Sequence, residues 1–536
     1  MDAFPLNITV MLERAKTYFP EKEIVSRNED GTVFRYSYKD FYKRVCKLAN
    51  VLKKLGIKKQ DKAATLAWNT NRHLELYFAV TCTGSVLHTV NLRLSEDHIT
   101  YILNHAEDKI LFFDPDLLPI VERIAPNLTT VRTFVVLGDS IPSTSLKNVH
   151  AYESLLAEEK DEFDFPFIEE NSPAAMCYTS ATTGNPKGVV YTHRSIYLHS
   201  SMICFKNTMA IEEKDVLLPV VPMFHVNAWG IPYAGVWMGS KIVLPGVRPK
   251  AADILELIEN EKVTFAAGAV TVGIEMLELL KKSEYDVSSL RSLMLGGQAT
   301  PLAVIKEYKE LFNVPIFTAW GATETSPIAT TLMFKSTQEN LSDEEKYKMT
   351  SRQGILVPGL KMKVLKEDGS EVKWNDEEMG EIYVRGPWVA DSYYNDERTK
   401  DSFIDGWWKS GDIATVNEDG VIRLVDRAKD LIKSGGEWIS SVELENELMA
   451  HEYVHEAAVV AVPHDKWQER PVAFVVLKDN GEGKVTEEDL VQWLSPKFAK
   501  WWLPDKYIFV EQIPKTGVGK FNKKLLRERI AKLNIT

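Results

Sequence analysis

The segment Tyr178-Thr179-Ser180-Ala181-Thr182-Thr183-Gly184-Asn185-Pro186-Lys187-Gly188 gathers hydroxyls, glycines and one lysine into a stretch too polar and too flexible for a core strand. Phosphate oxygens are bound by this supply of backbone N–H groups, Ser/Thr donors and a point charge. The apolar run ahead of it (Ala174, Ala175, Met176, Cys177, Tyr178) reads as a strand, which places the loop at a strand end. No Gly-x-x-x-x-Gly-Lys-Ser/Thr spacing occurs here, so the loop is not a Walker A loop. A Ser/Thr/Gly-rich linker would have the same composition; the segments that follow argue against that reading.

Trp320-Gly321-Ala322-Thr323-Glu324-Thr325 puts an aromatic ring, a hydroxyl and a carboxylate together, a set able to stack a base, bind a phosphate and hold a divalent cation. Trp407-Trp408-Lys409-Ser410-Gly411-Asp412 places a carboxylate after a tight turn, suited to ribose hydroxyls. Ile432-Lys433-Ser434-Gly435-Gly436-Glu437-Trp438-Ile439-Ser440 is a flexible basic and aromatic loop, and Pro514-Lys515-Thr516-Gly517-Val518-Gly519-Lys520 presents a lysine near the C-terminus. Taken singly, Glu324 would be a capping carboxylate, Asp412 a turn residue and Lys520 a surface lysine. The ordered set is what carries information.

Residues 35–130 alternate amphipathic helix patterns with short apolar runs, from Asp40–Leu55 and Lys62–Ala67 through Ile110–Phe113, and the alternation recurs up to Ile316–Ala319. Such alternation predicts a mostly parallel sheet covered by helices. Beyond about residue 355 short strands with Gly/Asp/Asn turns predict a β-rich unit, and from Lys433 onward a compact α+β unit follows, hinged at Asp426-Arg427-Ala428-Lys429-Asp430. The expected architecture is therefore α/β. A large N-terminal domain (1–426) of helix-covered, mostly parallel sheets includes a small β-rich subdomain over about 355–426. A hinge at 427–432 joins it to a small mobile C-terminal domain at 433–536.

At 536 residues the chain is too long for one hydrophobic core. Its hydrophobic content of 45% and charged content of 26% fit a globular protein without an integral membrane segment. A net charge of −12 with no basic stripe argues against nucleic acid as a partner, so an anionic substrate needs a local basic pocket. The most apolar region, 216–247, is broken by prolines, His225, Asn227 and Lys241 and reads as buried strand and loop walling a pocket. Four cysteines without Cys-x-x-Cys spacing, and no signal-peptide pattern, indicate reduced thiols and a cytoplasmic location.

From about Arg35 to Arg527 the chain resembles the AMP-forming acyl-CoA synthetases, which carry these five motifs in this order. Met223-Phe224-His225-Val226-Asn227-Ala228-Trp229, Lys466-Trp467-Gln468-Glu469-Arg470-Pro471 and Phe498-Ala499-Lys500-Trp501 resemble the medium- and long-chain fatty acyl members. A sister group that activates 3-methylthiopropionate shares them. The resemblance implies a carboxylic acid, ATP and CoA as substrates and Mg²⁺ as cofactor. It implies that Thr179 and Glu324 hold the metal, and that the loop from Thr179 to Lys187, with Ser180, Thr182, Thr183 and Gly184, steadies the β- and γ-phosphates. Thr323 would contact the α-phosphate. Trp320 would lie against adenine, lined by Gly297, Gln298, Thr318, Ala319 and Gly321, and Asp412 and Arg427 would hold the ribose. Lys520 would bridge the carboxylate and α-phosphate. Lys429 matches the hinge position, about which the small domain would exchange Lys520 for Lys433 and Trp438. His225 matches a residue beside the reacting carbonyl, although such a histidine is otherwise a satisfied core group, and Trp229 matches a gate of the acyl tunnel. The resemblance also suggests a homodimer through the large domain.

Three positions depart from the family pattern: Ala181 where the loop has glycine, Val270 where proline is usual, and Gln298 where a small residue is usual. Gln298 narrows the acyl entrance, whereas Ala266, Ala267, Gly268, Ala269 and Gly273 leave space, so chain length stays open between a fatty acid and a short or functionalised acid. A nucleotide-binding relative without chemistry is the non-enzyme alternative, motivated by Ala181.

Overall fold

The computed structural model describes residues 4–179, 184–435, 437–478, 481, 483–515 and 521–532. Two seven-stranded sheets build the large part of the chain. The first runs Val149–Ala151, Thr133–Val136, Ile110–Phe113, Lys62–Leu66, Val86–Thr89, Pro173–Tyr178, Gly188–Thr192, parallel throughout except for its last pair. The second runs Ile316–Phe317, Ser292–Gly296, Phe265–Ala269, Val216–Pro219, Lys241–Leu244, Glu23–Arg27, Val33–Ser37, again parallel up to a final antiparallel pair. Crossover helices cover both, as the alternation of periods requires. The helix Tyr38–Lys54 shows the local logic: the Ser37 side chain caps it by accepting from the Asp40 N–H, and Phe41, Val45, Leu48 and Leu52 bury one stripe.

The β-rich unit is antiparallel, with Lys361–Leu365, Gly380–Arg385, Trp407–Val416 and Ile422–Arg427 in that order and Phe403–Ile404 at the side. The C-terminal unit packs the helices Ser441–Met449, Glu487–Leu494 and Lys523–Lys532 on a sheet whose longest pair is Val454–His464 with Gln468–Leu477. Residues 428–431 link the two units. Polar contacts tie the C-terminal unit to the β-rich unit and to this link. Ser441 N–H donates to Asp426 Oδ2 at 2.8 Å and Arg527 pairs with Asp430, while within the C-terminal unit Lys523 Nζ lies 2.8 Å from Glu445 Oε1.

Three expectations change. The 216–247 region contains a helix, Ile231–Met238, with Pro232 in its first turn, where a missing N–H costs nothing, and left-handed glycines at both ends. The strand expected over Ile316–Ala319 divides: Ile316–Phe317 stays in the second sheet, and Ala319–Gly321 turns away to pair with Ile328–Thr331. The small residues Gly268 and Gly273 leave no open space. A Cβ at Gly268 would sit 3.3 Å from Val220, and one at Gly273 would sit 2.7 Å from Leu295. All four cysteines are free thiols, and among the described residues no helix is long and apolar enough to cross a membrane.

Candidate active site

The phosphate-type loop leaves the strand Pro173–Tyr178 and returns as Gly188–Thr192. Its base is closed twice: Thr179 N–H donates to Lys187 O at 2.9 Å, and Lys187 N–H donates to Thr179 Oγ1 at 3.1 Å. The Tyr178 ring lies so close to Gly188 that a Cβ there would stand 3.0 Å from it, which explains the glycine. His105 Nδ1 is 2.7 Å from the Tyr178 hydroxyl and fixes that ring. Ser180, Ala181, Thr182 and Thr183 lie outside the described residues.

Lys187 extends from this base to Tyr393, its Nζ 2.8 Å from the phenol oxygen and 3.9 Å from the ring centroid. The phenol donates onward to Glu324 Oε1 at 2.6 Å. Burial pushes the Lys187 ammonium pKa below its ordinary value while Glu324 pulls it back up. Glu324 is buried in the short turn Thr323–Thr325. That turn is fixed by Tyr191 donating to Thr323 O at 2.7 Å and by Ala390 N–H donating to Glu324 O at 2.8 Å. At Gly321 a Cβ would lie 1.9 Å from Pro327 O, so only glycine can occupy this position.

Asp412 does not follow a tight turn. It sits inside the continuous strand Trp407–Val416, where residues between Lys409 and Ile413 bulge against Glu381–Tyr383 and Gly411 takes a φ of +73°. A bulge re-aims a side chain within a sheet. Here the carboxylate accepts from Trp320 Nε1 at 2.8 Å through one oxygen and meets Arg427 Nε at 2.8 Å through the other. Trp408 stacks on Trp320 with centroids 6.3 Å apart. Asp412 and then Glu324 hold the Arg427 guanidinium firmly charged.

The backbone of Thr318 leads directly into Ala319 and Trp320, while the Thr318 hydroxyl is spent on Thr350 O and Arg352 O. Gly297, at φ +93°, and Gln298 follow the strand Ser292–Gly296. Trp229 packs onto that strand end, for a Cβ on Gly296 would fall 2.8 Å from its indole. Trp229 belongs to an unusual turn in which Val226, Asn227, Ala228, Trp229 and Gly230 all have φ between +46° and +79°. Each non-glycine residue there costs about 1–2 kcal/mol, and such strain persists only where surrounding packing imposes it. His225, half-buried, begins this turn.

Among the described residues, Lys433 and Trp438 make no contact with the loop. They stack on each other at 4.1 Å, and Lys433 Nζ lies 3.6 Å from Glu367 on the β-rich unit. Burial lowers the pKa of Lys429, in the link. Lys520 lies outside the described residues.

Against families of known proteins, residues 12–394 match the model of the AMP-binding enzymes and residues 443–520 match that of the AMP-binding enzyme C-terminal domain. The chain belongs to the AMP-binding enzymes. Among relatives of this family, it is 47% identical over 538 residues to a long-chain-fatty-acid–CoA ligase of Thermus thermophilus, spanning 99% of this chain and 98% of the relative. It is 41% identical over 527 residues to a 3-methylmercaptopropionyl-CoA ligase of Ruegeria pomeroyi, spanning 98% and 97%. An anthranilate CoA ligase solved with anthranoyl-AMP has the same fold, with a TM-score of 0.89 at 24% identity and full coverage of both chains.

In this AMP-binding enzyme, sequence reading missed Tyr393, which joins Lys187 to Glu324, and Trp408, which backs Trp320. Trp408 was within a quoted motif, but Tyr393 has no local signal beyond an aromatic pair ahead of Asn395. The Asp412 geometry makes a direct prediction. Asp412→Ala strands a buried indole N–H and should cost about 1–3 kcal/mol in thermal unfolding without ligand. Asp412→Asn keeps an acceptor for Trp320 and should unfold close to wild type, yet bind AMP about tenfold more weakly because Arg427 loses its charged partner. Wild-type AMP affinity in Asp412→Asn, read by calorimetry, would show that this carboxylate does not serve the nucleotide.

Proposed function

We propose that this enzyme joins a medium- or long-chain fatty acid to CoA in two steps, with ATP converted to AMP and pyrophosphate. The observation that carries the reading is the continuity of the site. Phosphate-facing groups (Lys187 and Glu324, through Tyr393) and base- and ribose-facing groups (Trp320 and Arg427, through Asp412) form two short bonded sets, which the single segment Trp320–Glu324 brings side by side. The near-complete alignment with a long-chain ligase supports the fatty acid.

In the first step a carboxylate oxygen bonds to the α-phosphorus as the bond to pyrophosphate breaks. Two anions meet, so cations and fixed donors dominate catalysis. Lys187 takes up charge on the departing phosphates, Thr323 and Lys520 address the α-phosphate, and Asp412, Arg427 and Trp320 hold the nucleoside. Glu324 and Thr179 would hold Mg²⁺. One buried carboxylate together with substrate phosphates suits that ion, and no described residue donates to Glu324 Oε2. When bound, the ion would neutralise phosphate charge. In the second step the CoA sulfur bonds to the acyl carbon, AMP leaves, and the thiol proton passes to solvent. The boundary at 426, the hinge at 427–432 and the mobile small domain from 433 belong to this proposal. The small domain turns about Lys429, withdraws Lys520 and brings Lys433 and Trp438 in from their place beside Glu367. His225 and Trp229 stand at the acyl entrance. Cytoplasmic location and a homodimer are consistent with this role.

The 41% identity to a 3-methylmercaptopropionyl-CoA ligase favours a second reading, a short functionalised acid. A panel of acids of increasing length, read by AMP release with and without CoA, decides between them. AMP release should rise with chain length beyond eight carbons or so; a rate confined to short acids sinks the fatty-acid reading.

A further inference from the structure

We infer that Arg398 is an additional binding residue for the terminal phosphates of the nucleotide and for the pyrophosphate that leaves, a role that rests on the function proposed above. Arg398 comes from a segment remote in sequence and reaches the return limb of the phosphate loop. Its Nη1 donates to Asn185 O at 3.0 Å and stands 3.8 Å from where a Cβ on Gly184 would be. The contact itself would admit a Cβ; it is the φ of +71° at Gly184 that favours glycine.

The guanidinium is aimed rather than loose. Asp396 accepts from Nε at 2.8 Å and also from Nη2, and the Asp396 N-terminal turn is closed by Arg398 N–H at 2.9 Å. An arginine has five N–H groups in a rigid fork. Asp396 and Asn185 account for three of them, and no described residue accepts from the other two, while the side chain keeps 40% of its exposure. The same fork therefore fixes the loop and retains donors for an anion.

Its electrostatic surroundings point the same way. Burial is the main cause that lowers the Lys187 pKa; Glu324 and Asp396 raise it, and Arg398 and Arg427 lower it, so three cations lie around the loop together with the carboxylates that aim them, in a chain whose net charge is −12. A multiply charged anion would meet several cations there, in a chain that is otherwise acidic. A guanidinium suits bidentate phosphate recognition, whereas Lys187 supplies only a point charge. AMP, with the α-phosphate alone, would not reach Arg398; ATP and pyrophosphate would.

The test compares calorimetric affinities for MgATP and for AMP, without acid, in wild type, Arg398→Ala and Arg398→Gln. Glutamine can still donate to Asn185 O but carries no charge. Both variants should bind MgATP about tenfold more weakly and AMP within about twofold of wild type, with pyrophosphate inhibition weakened in parallel. MgATP affinity equal to wild type in Arg398→Gln would reduce Arg398 to an anchor of the loop and overturn the inference, as would an equal loss of AMP affinity. Should Arg398→Ala fail to fold, the glutamine variant decides alone. A wild-type enzyme that binds MgATP but forms no AMP with any acid would instead defeat the proposed function and leave the Arg398 result standing.

Discussion

Glu324→Gln should lower acid-dependent AMP formation by about 10²–10³-fold while leaving the conversion of a supplied acyl-adenylate and CoA to thioester within about threefold. Glutamine has nearly the volume of glutamate, and its carbonyl can still accept from the Tyr393 phenol, which now donates to Glu324 at 2.6 Å. What disappears is a buried negative charge between Lys187, Arg427 and the site of the phosphates. The folded protein should melt within a few degrees of wild type, because removing an ionised buried group also removes its desolvation cost. Excess magnesium should restore part of the adenylation rate, since the carboxylate's main task is to hold a cation that the nucleotide also binds. Equal losses in both half-reactions would show that Glu324 supports the site generally and does not serve phosphate charge.

The periodicities of the chain are sufficient for the layered plan: Ile110–Phe113 is a strand over its expected span, and the patterns at Asp40–Leu55 and Lys62–Ala67 correspond to the helix Tyr38–Lys54 and the strand Lys62–Leu66. Helix and strand periods report burial, and burial is what decides these elements. The site was legible only where a motif is contiguous. Trp320 and Glu324 stand together in sequence and in space, but their partners both come from the β-rich unit, Asp412 from one of its strands and Tyr393 from a connection between strands. Pairings across such separations leave no trace in local composition. The bulge that aims Asp412 has the local signature of a turn, because Ser-Gly-Asp is turn chemistry, and only the neighbouring strands show that the chain runs on through it. The left-handed run from Val226 to Trp229 has even less local signal, since valine, alanine and tryptophan all disfavour that region. It is imposed from outside, by the packing of Trp229 on Gly296 and by the close approach of His199 to Gly230, where a Cβ would lie 2.8 Å from the imidazole.

Lys520→Ala should abolish most adenylation, by about 10²–10³-fold or more, and should leave thioester formation from supplied acyl-adenylate nearly intact. Trp438→Ala should show the opposite bias. Lys520 precedes the helix Lys523–Lys532, and that helix is held beside the interdomain link. Lys523 pairs with Glu445 and donates to Ser441 Oγ at 2.5 Å, Ser441 bonds to Asp426, and Arg527 reaches Asp430. On the proposed alternation, turning that unit about the link would carry the Lys520 cation toward or away from the α-phosphate. The loop bearing Trp438 lies on the same unit, with Lys433 stacked on its ring beside Glu367, so the proposed rotation would move both loops together. A cation delivered by such a movement acts on the first step alone, because the second step needs its place cleared for the thiol. If Lys520→Ala and Trp438→Ala each depressed both half-reactions to the same degree, a fixed arrangement of the two units would explain the results better than alternation.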